Sequence, residues 1–430
     1  MHNSPSRLKV DYSHEATAVQ APQSDDEPVV VTLRTKDGEK TVKARYVVGC
    51  DGAHSLVRES IGRKAQGYGA DKAWGVMDLL AVTDFPEIRF KCTIQSGDGG
   101  NILLIPREGG HLFRLYVDMG EIAADAWLSE DDVIAKAKSV LSQYAMEVKE
   151  VAWFSVYRVG HRVTDKFDDV APDEIGDRAP RVFIAGDACH THTAKAGQGM
   201  NVSMQDTWNL AWKLIAVLQR RSPTRLLDTY SAERKVIAQD LIDTDTRWSQ
   251  AIGGVSRIDS GDEEAVQAAF AEVQRQFVTN GEFTAGLATH YTPSLLTGGD
   301  EHLHLAQGYP PGSRFQSQEV IRMGDGKRVH LGHVHKADAR WRLYAFADCV
   351  DPRAQGSHFV RLMNYLSSDA SPVTKFTPHG WATDAVFDVR GIIQQSHFDV
   401  GWEEMPEFLK PRVGKHQLID YEKCFAPLPG

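Results

Sequence analysis

Two acid-bearing stretches carry the chemistry this sequence can do. Asp187 stands in Gly186-Asp187-Ala188-Cys189-His190, directly after the apolar run Val182-Phe183-Ile184-Ala185, and the polar loop that follows closes on Gly197-Gln198-Gly199. A carboxylate at the tip of a buried strand can accept hydrogen bonds from ligand hydroxyls. Loop glycines let backbone approach a ligand, and the first-turn N–H groups of a following helix attract anions. Asp51 repeats the arrangement: Val47-Val48-Gly49-Cys50 runs into Asp51-Gly52, and Ser55 can cap a short helix that Gly62 ends. Either acid alone reads equally well as a turn or cap residue. The two strand tips, with the loop and the helix that follow the second, suit an anionic or polyhydroxylated cofactor.

Other side chains admit two readings. In Arg89-Phe90-Lys91-Cys92-Thr93-Ile94, alternation over an expected strand from Ile88 to Gln95 puts Arg89, Lys91 and Thr93 on one face. That face is either solvated or turns a cation toward an anionic substrate; Arg107, Arg114 and Tyr116 pose the same choice. His190 and His192 lack a further ligand at zinc-like spacing, so a structural or cofactor-adjacent role is expected and no metal site. Nucleophile-elbow, Walker A, HExxH and strand-to-helix GxGxxG patterns are all missing from the sequence.

The elements that must position these residues follow from periodicity. Trp208, Ala211, Trp212, Ile215 and Leu218 share one helical face, which predicts an amphipathic helix behind the glycine loop. Residues 28–34 and 40–49 predict a pair of strands around Lys36-Asp37-Gly38-Glu39, with a further short strand at Leu8-Lys9-Val10. Four strand-like segments in 74–119 predict an antiparallel sheet. A helix is expected over 129–146, opening on Ser129-Glu130-Asp131-Asp132, then a strand over 151–159 and one or two helices over 224–249. An amphipathic helix is expected at 262–277. Strand-like 342–347 and 385–389 flank a helix at 356–367, which reads as a small α/β domain.

Composition bounds the partners. The chain has 430 residues and a net charge of -10, without a Lys/Arg block, which argues against a general nucleic-acid binder. Apolar runs fall short of the ~18 residues of a membrane span. The first residues carry no apolar signal core, and five scattered cysteines fit reduced thiols in a cytoplasmic protein.

In order and separation, CDGAHSLVR at 50–58, GDACHTHTAKAGQGMN at 186–201 and QDTWNLAWKL at 205–214 resemble the FAD-dependent aromatic hydroxylases, the class A flavoprotein monooxygenases. WGVMD at 74–78, IPREGG at 105–110, RLY at 114–116 and RWRLYAFAD at 340–348 are similar to the phenol 2-monooxygenase and 3-hydroxybenzoate 4-monooxygenase branch. The resemblance spans almost the whole chain. It implies an α/β (α+β) fold: an incomplete FAD-binding, glutathione-reductase-like domain in 1–67 and 166–252, and an antiparallel substrate-binding sheet domain in 68–165. A linker at 253–289 and a thioredoxin-like C-terminal domain at 290–430, contributing to a homodimer, complete it.

The same resemblance implies site roles. Asp187, after Gly186, would bind the flavin ribityl chain, and Gly197, Gln198, Gly199, Met200 and Asn201 would line the isoalloxazine. Asp51 and Gly52 lie in the motif associated with FAD and NADPH. Tyr116 would bond the substrate phenol as the catalytic group, Lys91 would hold a substrate carboxylate, and Arg107 and Arg114 would lie near the flavin. The reaction implied uses NADPH and O₂ to hydroxylate a 3-hydroxybenzoate-like phenol ortho to its hydroxyl. Drawing the phenol toward phenolate makes its ring more nucleophilic, and a dry pocket protects the reactive flavin. Two departures stand out. The family's leading βαβ unit with GxGxxG is absent, which predicts an N-terminally truncated chain with impaired flavin binding and leaves a non-catalytic self-association module as the alternative. Ala194 also replaces a family proline beside the flavin.

Overall fold

Local turn and cap chemistry sets where most elements begin. The structure, a computed structural model, describes residues 9–22, 24, 26–68, 72–96, 100–123, 126–158, 160–193, 197–255, 263–334, 336–354 and 356–429. The chain divides into two compact units, one reaching to Asp300 together with Pro311–Ser313, the other comprising Glu301–Pro310 and the chain from Arg314 onward. Among the described residues no helix is long and apolar enough to cross a membrane.

In the first unit, β1 (Glu15–Gln20), β2 (Val29–Thr35) and β3 (Gly38–Ala44) form an antiparallel meander. Thr35 pairs with Gly38 across the two-residue loop Lys36-Asp37, and Gly38 takes a φ of 111° that only glycine adopts freely. The strand expected at Leu8-Lys9-Val10 is not found at Lys9 and Val10, and Leu8 lies outside the described residues; the alternation that buries Val19 starts only at Glu15. β4 (Val47–Gly49) pairs in parallel with β12 (Val182–Ile184), which brings the Asp51 and Asp187 strand tips side by side. Between them come α1 (Leu56–Ser60), capped by the Ser55 hydroxyl on the Arg58 amide, and β5 (Ala65–Tyr68).

The expected antiparallel sheet is present. β6 (Lys72–Thr83), β7 (Cys92–Gln95), β8 (Asn101–Pro106), β9 (Phe113–Glu121) and β10 (Met146–Arg158) lie in the order β10-β6-β9-β8-β7. One face, with Met77, Leu79, Leu104 and Leu115, packs on Val133, Ala137 and Val140 of α2 (Glu130–Val140). A reciprocal Ser129–Asp132 capping box opens that helix. It ends earlier than its pattern suggests, because Leu141–Tyr144 turn the chain into β10. Residues Ile88–Phe90 are also not strand: turn hydrogen bonds from Ile88 N to Phe85 O and Phe90 N to Glu87 O hold them around Pro86, and β7 starts only at Cys92.

β11 (His161–Thr164) joins β5 and β13 (His190–Thr191) in a small antiparallel sheet. The helices α3 (Gly199–Leu218), α4 (Asp228–Val255), α5 (Glu263–Thr279) and α6 (Gly281–Thr284) follow. The amphipathic pattern expected at 262–277 is therefore helical from Glu263 on, within the span read as a linker, and residue 262 lies outside the described residues.

α3 contradicts the face predicted for it. Trp208, Ile215 and Leu218 are 67%, 44% and 49% exposed, while Asp206, Asn209 and Lys213 are buried beside Leu210 and Val217. The reason is α4. Its Glu233 accepts hydrogen bonds from Asn209 Nδ2 and Lys213 Nζ, both at 2.7 Å, and its Arg234 donates from Nε to Asp206 at 2.7 Å. Paired charges turn inward, and Trp208, Ile215 and Leu218 face out, while Trp212 packs half-buried against the core. Burial pushes the Lys213 ammonium down to about 8 against the pull of Glu233.

The second unit is a mixed five-stranded sheet in which β14 (Glu319–Arg322) and β15 (Lys327–His330) are antiparallel, and β16 (Trp341–Phe346), β17 (Phe387–Ile392) and β20 (Cys424–Ala426) are parallel. α7 (Leu331–Val334), α8 (His358–Leu366), α9 (Pro372–Phe376) and the short pair β18 (Arg412–Val413) and β19 (Leu418–Ile419) complete it. Phe359, Met363 and Leu366 of α8 join Val389, Leu409 and Cys424 in its core.

Candidate active site

The two strand tips open onto a cleft of 790 Å³. Its floor comes from the Gly-Asp stretch. From Arg181 to His190 every residue is buried except Asp187, whose carboxylate faces the cleft without a hydrogen-bond partner among the described residues. Gly186 reaches that geometry with a φ of 65°, and a Cβ there would stand 3.1 Å from Ser203 Oγ of α3. The Gly186 amide donates to Asp206, so the tip is tied to the helix behind it.

The lip of the cleft is the start of α3. Gly197 (φ 65°), Gly199 and Met200 line it, whereas Gln198 and Asn201 do not; the Asn201 amide group donates to Gln198 Oε1 at 3.2 Å. A Cβ on Gly199 would lie 2.5 Å from His192 Nε2, so only glycine lets this imidazole lie against the helix end. Lys195 and the Ala194 substitution fall outside the described residues.

Asp51 proves to be a capping acid. It accepts from Ser55 Oγ at 2.5 Å and from Val57 N at 3.0 Å, and neither Asp51 nor Gly52 lines the cleft. Its stretch contributes Ala53, His54 and the buried Arg58 instead. Arg58 donates to Ala188 O at 3.0 Å and Ala53 O at 2.8 Å, bolting the two tip loops together.

Of the loop's two histidines, His190 is held by a buried acid, while His192 Nδ1 lies 2.7 Å from Thr193 O and 4.0 Å from Asp245. His190 Nε2 lies 2.8 Å from Asp206. Asp245 of α4 receives Thr193 N and Oγ1 and lies 2.9 Å from His161 Nε2. Asp206, Arg234 and Asp245 were not singled out in the sequence; a carboxylate at a buried helical position was the available signal. Burial pushes the His192 imidazole below its ordinary pKa of 6.5 in spite of Asp245. The sign follows: as pH falls through 6.5 the unfolded chain takes up this proton first, so stability is lost on acidification below that value. His192→Gln should flatten part of the loss between pH 6.5 and 5 in urea titrations; an unchanged pH slope refutes the assignment.

The opposite wall is the second face of the large sheet. Tyr116 of β9 lines the cleft with Val156 and Tyr157 of β10. Arg114, two residues before Tyr116 on the same face, makes a bidentate pair with Asp78 at 2.6 and 2.7 Å. Its Nη1 reaches the Tyr116 hydroxyl at 3.5 Å, and its guanidinium carbon sits 5.0 Å from the Trp153 ring centroid. Hydrogen bonds to Asp78 hold the Arg114 pKa above its already high ordinary value. Arg107 stands in the β8–β9 turn with Nη1 3.7 Å from Asp78, and Gly109 and Gly110, both at positive φ, carry that turn. Lys91 is exposed before β7 and is not among the residues lining the cleft. Arg89 braces the turn instead, donating to Leu112 O and Arg107 O.

Comparison with known proteins shows the family of the chain. Residues 2–245 match the FAD binding domain family, and residues 289–428 match the phenol hydroxylase C-terminal dimerisation domain. The chain is 49% identical to a 3-hydroxybenzoate 4-monooxygenase of Comamonas testosteroni, over 99% of this chain and 68% of that protein. It is 34% identical to the phenol 2-monooxygenase fsqG of Aspergillus fumigatus, over 82% of this chain and 59% of the relative. The anhydrotetracycline hydroxylase OxyS of Streptomyces rimosus shares the fold at a TM-score of 0.61 and 22% identity, covering 89% of this chain and 66% of that one. The chain thus spans about two thirds of the length of these relatives.

Proposed function

The chain belongs to the flavin-dependent aromatic monooxygenases, and from that premise we propose that its cleft holds the ribityl chain and ring of FAD against a phenolic substrate. The observation that carries this reading is Asp187: an exposed carboxylate, unpartnered among the described residues, in an otherwise buried run at a strand tip facing a glycine-lined helix start. Those groups fit a polyhydroxylated chain and a flat ring. Asp187 accepts from ribityl hydroxyls, while Gly197 and Gly199 leave room for close backbone approach. When bound, the flavin supplies the redox chemistry, with NADPH as electron donor and O₂ as oxidant.

The chain's own residues handle the phenol. Arg114 donates to the Tyr116 oxygen, which leaves the Tyr116 proton to be donated into the cleft. A hydrogen bond from Tyr116 to the substrate oxygen, in the field of Arg114, stabilises the phenolate form. The ring is thereby activated ortho to that oxygen, which supports ortho hydroxylation of a 3-hydroxybenzoate-like compound. Within this reading Lys91 has no role in the cleft wall and stays a solvent-facing cation. The match to a dimerisation domain supports a homodimer formed through the second unit.

Titration with riboflavin and with FAD tests the reading. Saturable quenching of flavin fluorescence is expected, and Asp187→Ala should weaken it about ten- to hundredfold, the range of a hydrogen bond to a charged acceptor. No binding at millimolar flavin, or equal binding by the variant, overturns it.

A further inference from the structure

Asp78 stands at the centre of the cleft's second wall without touching the cleft itself. On β6 it lies in register between Arg114 of β9 and Trp153 of β10. Its side chain is 8% exposed and takes both branches of the Arg114 fork, with a second cation, Arg107, 3.7 Å away. An arginine side chain carries several rotatable bonds, and a bidentate carboxylate fixes the plane of its guanidinium as well as its position. Here that plane lies beside the indole of Trp153 and presents Nη1 to the Tyr116 hydroxyl. Arg107 is itself paired with Glu108, at 3.0 and 3.1 Å, so Asp78 is left chiefly to Arg114.

We propose that Asp78 is the positioning residue of the phenol site: by clamping Arg114 between Trp153 and Tyr116 it aims the Tyr116 hydroxyl at the substrate oxygen. The inference rests on the phenol-binding reading of the cleft and adds a residue that acts through two others. It implies that Asp78 and Tyr116 contribute to phenol affinity as one unit, although their side chains do not touch.

The test is a double-mutant cycle on the full chain with 3-hydroxybenzoate as probe, following tryptophan fluorescence. Tyr116→Phe and Asp78→Asn should each weaken binding by on the order of tenfold, and the double variant should be little worse than either. Asp78→Glu, which keeps the carboxylate, should recover most of the affinity. Thermal unfolding of each variant is read alongside, because a merely structural Asp78 would lower the melting temperature without coupling to Tyr116. Additive losses, or an Asp78→Asn variant that binds as tightly as the unchanged chain, overturn the positioning role alone. Absence of binding by the unchanged chain overturns it together with the phenol-site reading.

Discussion

Asp206→Ala should destabilise the first unit by about 3–5 kcal/mol, a large share of a domain's stability, because it removes one partner of a buried ion pair. The carboxylate is fully buried and holds three groups at once: Arg234 Nε at 2.7 Å, His190 Nε2 at 2.8 Å and Gly186 N at 3.2 Å. Without it the guanidinium of Arg234 keeps only neutral partners, chiefly the Tyr291 hydroxyl at 3.1 Å. Asp206→Asn retains an acceptor but not the charge and should fall between the two. Urea unfolding measures the difference, and a loss under about 1 kcal/mol would mean that water or a rotated Arg234 replaces the carboxylate. Loss of the Gly186 contact should also loosen the Asp187 tip, so flavin affinity should fall at urea concentrations where the unit is still folded.

The second large effect lies in the other unit. Asp388 is fully buried, with Lys423 Nζ at 2.5 Å, Arg390 Nη2 at 3.0 Å and Arg342 Nε at 3.2 Å. Burial pushes its carboxyl up, yet Lys423 and Arg390 hold it below its ordinary range. Asp388→Ala should cost about 3–5 kcal/mol, since Arg390 then has no carboxylate while Lys423 keeps Asp384. Adding Arg390→Met should restore much of the loss, because the damage comes from the stranded charge rather than from a missing attraction. Hydrogen exchange of β17 and β20 reads both steps. A double variant no more stable than Asp388→Ala would show instead that the attraction itself dominates.

Where the fold was legible in the sequence, the signal was local. The Lys36-Asp37-Gly38 turn, the Ser129 capping box and the strand tips before Asp51 and Asp187 each depend on a few neighbouring residues, and each appears where its chemistry places it. The structure also brings Tyr116, Asp187, Gly197, Gly199 and Met200 to one cleft. What the sequence concealed depends on distant partners. The inverted polarity of α3 needs Glu233 and Arg234 of the next helix, which no single-helix periodicity contains. Asp78 acquires its meaning from Arg114, 36 residues away. Alternation over a strand expected from Ile88 put Lys91 on one face with Arg89 and Thr93, but Ile88–Phe90 form a turn and the strand starts only at Cys92. Asp51 and Asp187 share a sequence pattern and differ in use, because Ser55 occupies one carboxylate whereas Thr191, at the same spacing after the other, donates its hydroxyl to Gly160 O.

The inward charges of α3 also fix where that helix can stand along its axis. A greasy face is forgiving: shifted by one turn, about 5.4 Å, leucines meet leucines again. The inner face of α3 has no such second setting, since a one-turn slide would carry Asp206 away from Arg234 and Lys213 away from Glu233 and leave buried charges alone. The helix is therefore locked lengthwise, as a keyed shaft is, and the first of its two pairs, Asp206 with Arg234, lies within two turns of Gly199. The lip of the cleft is thus held by a part of the protein that cannot creep.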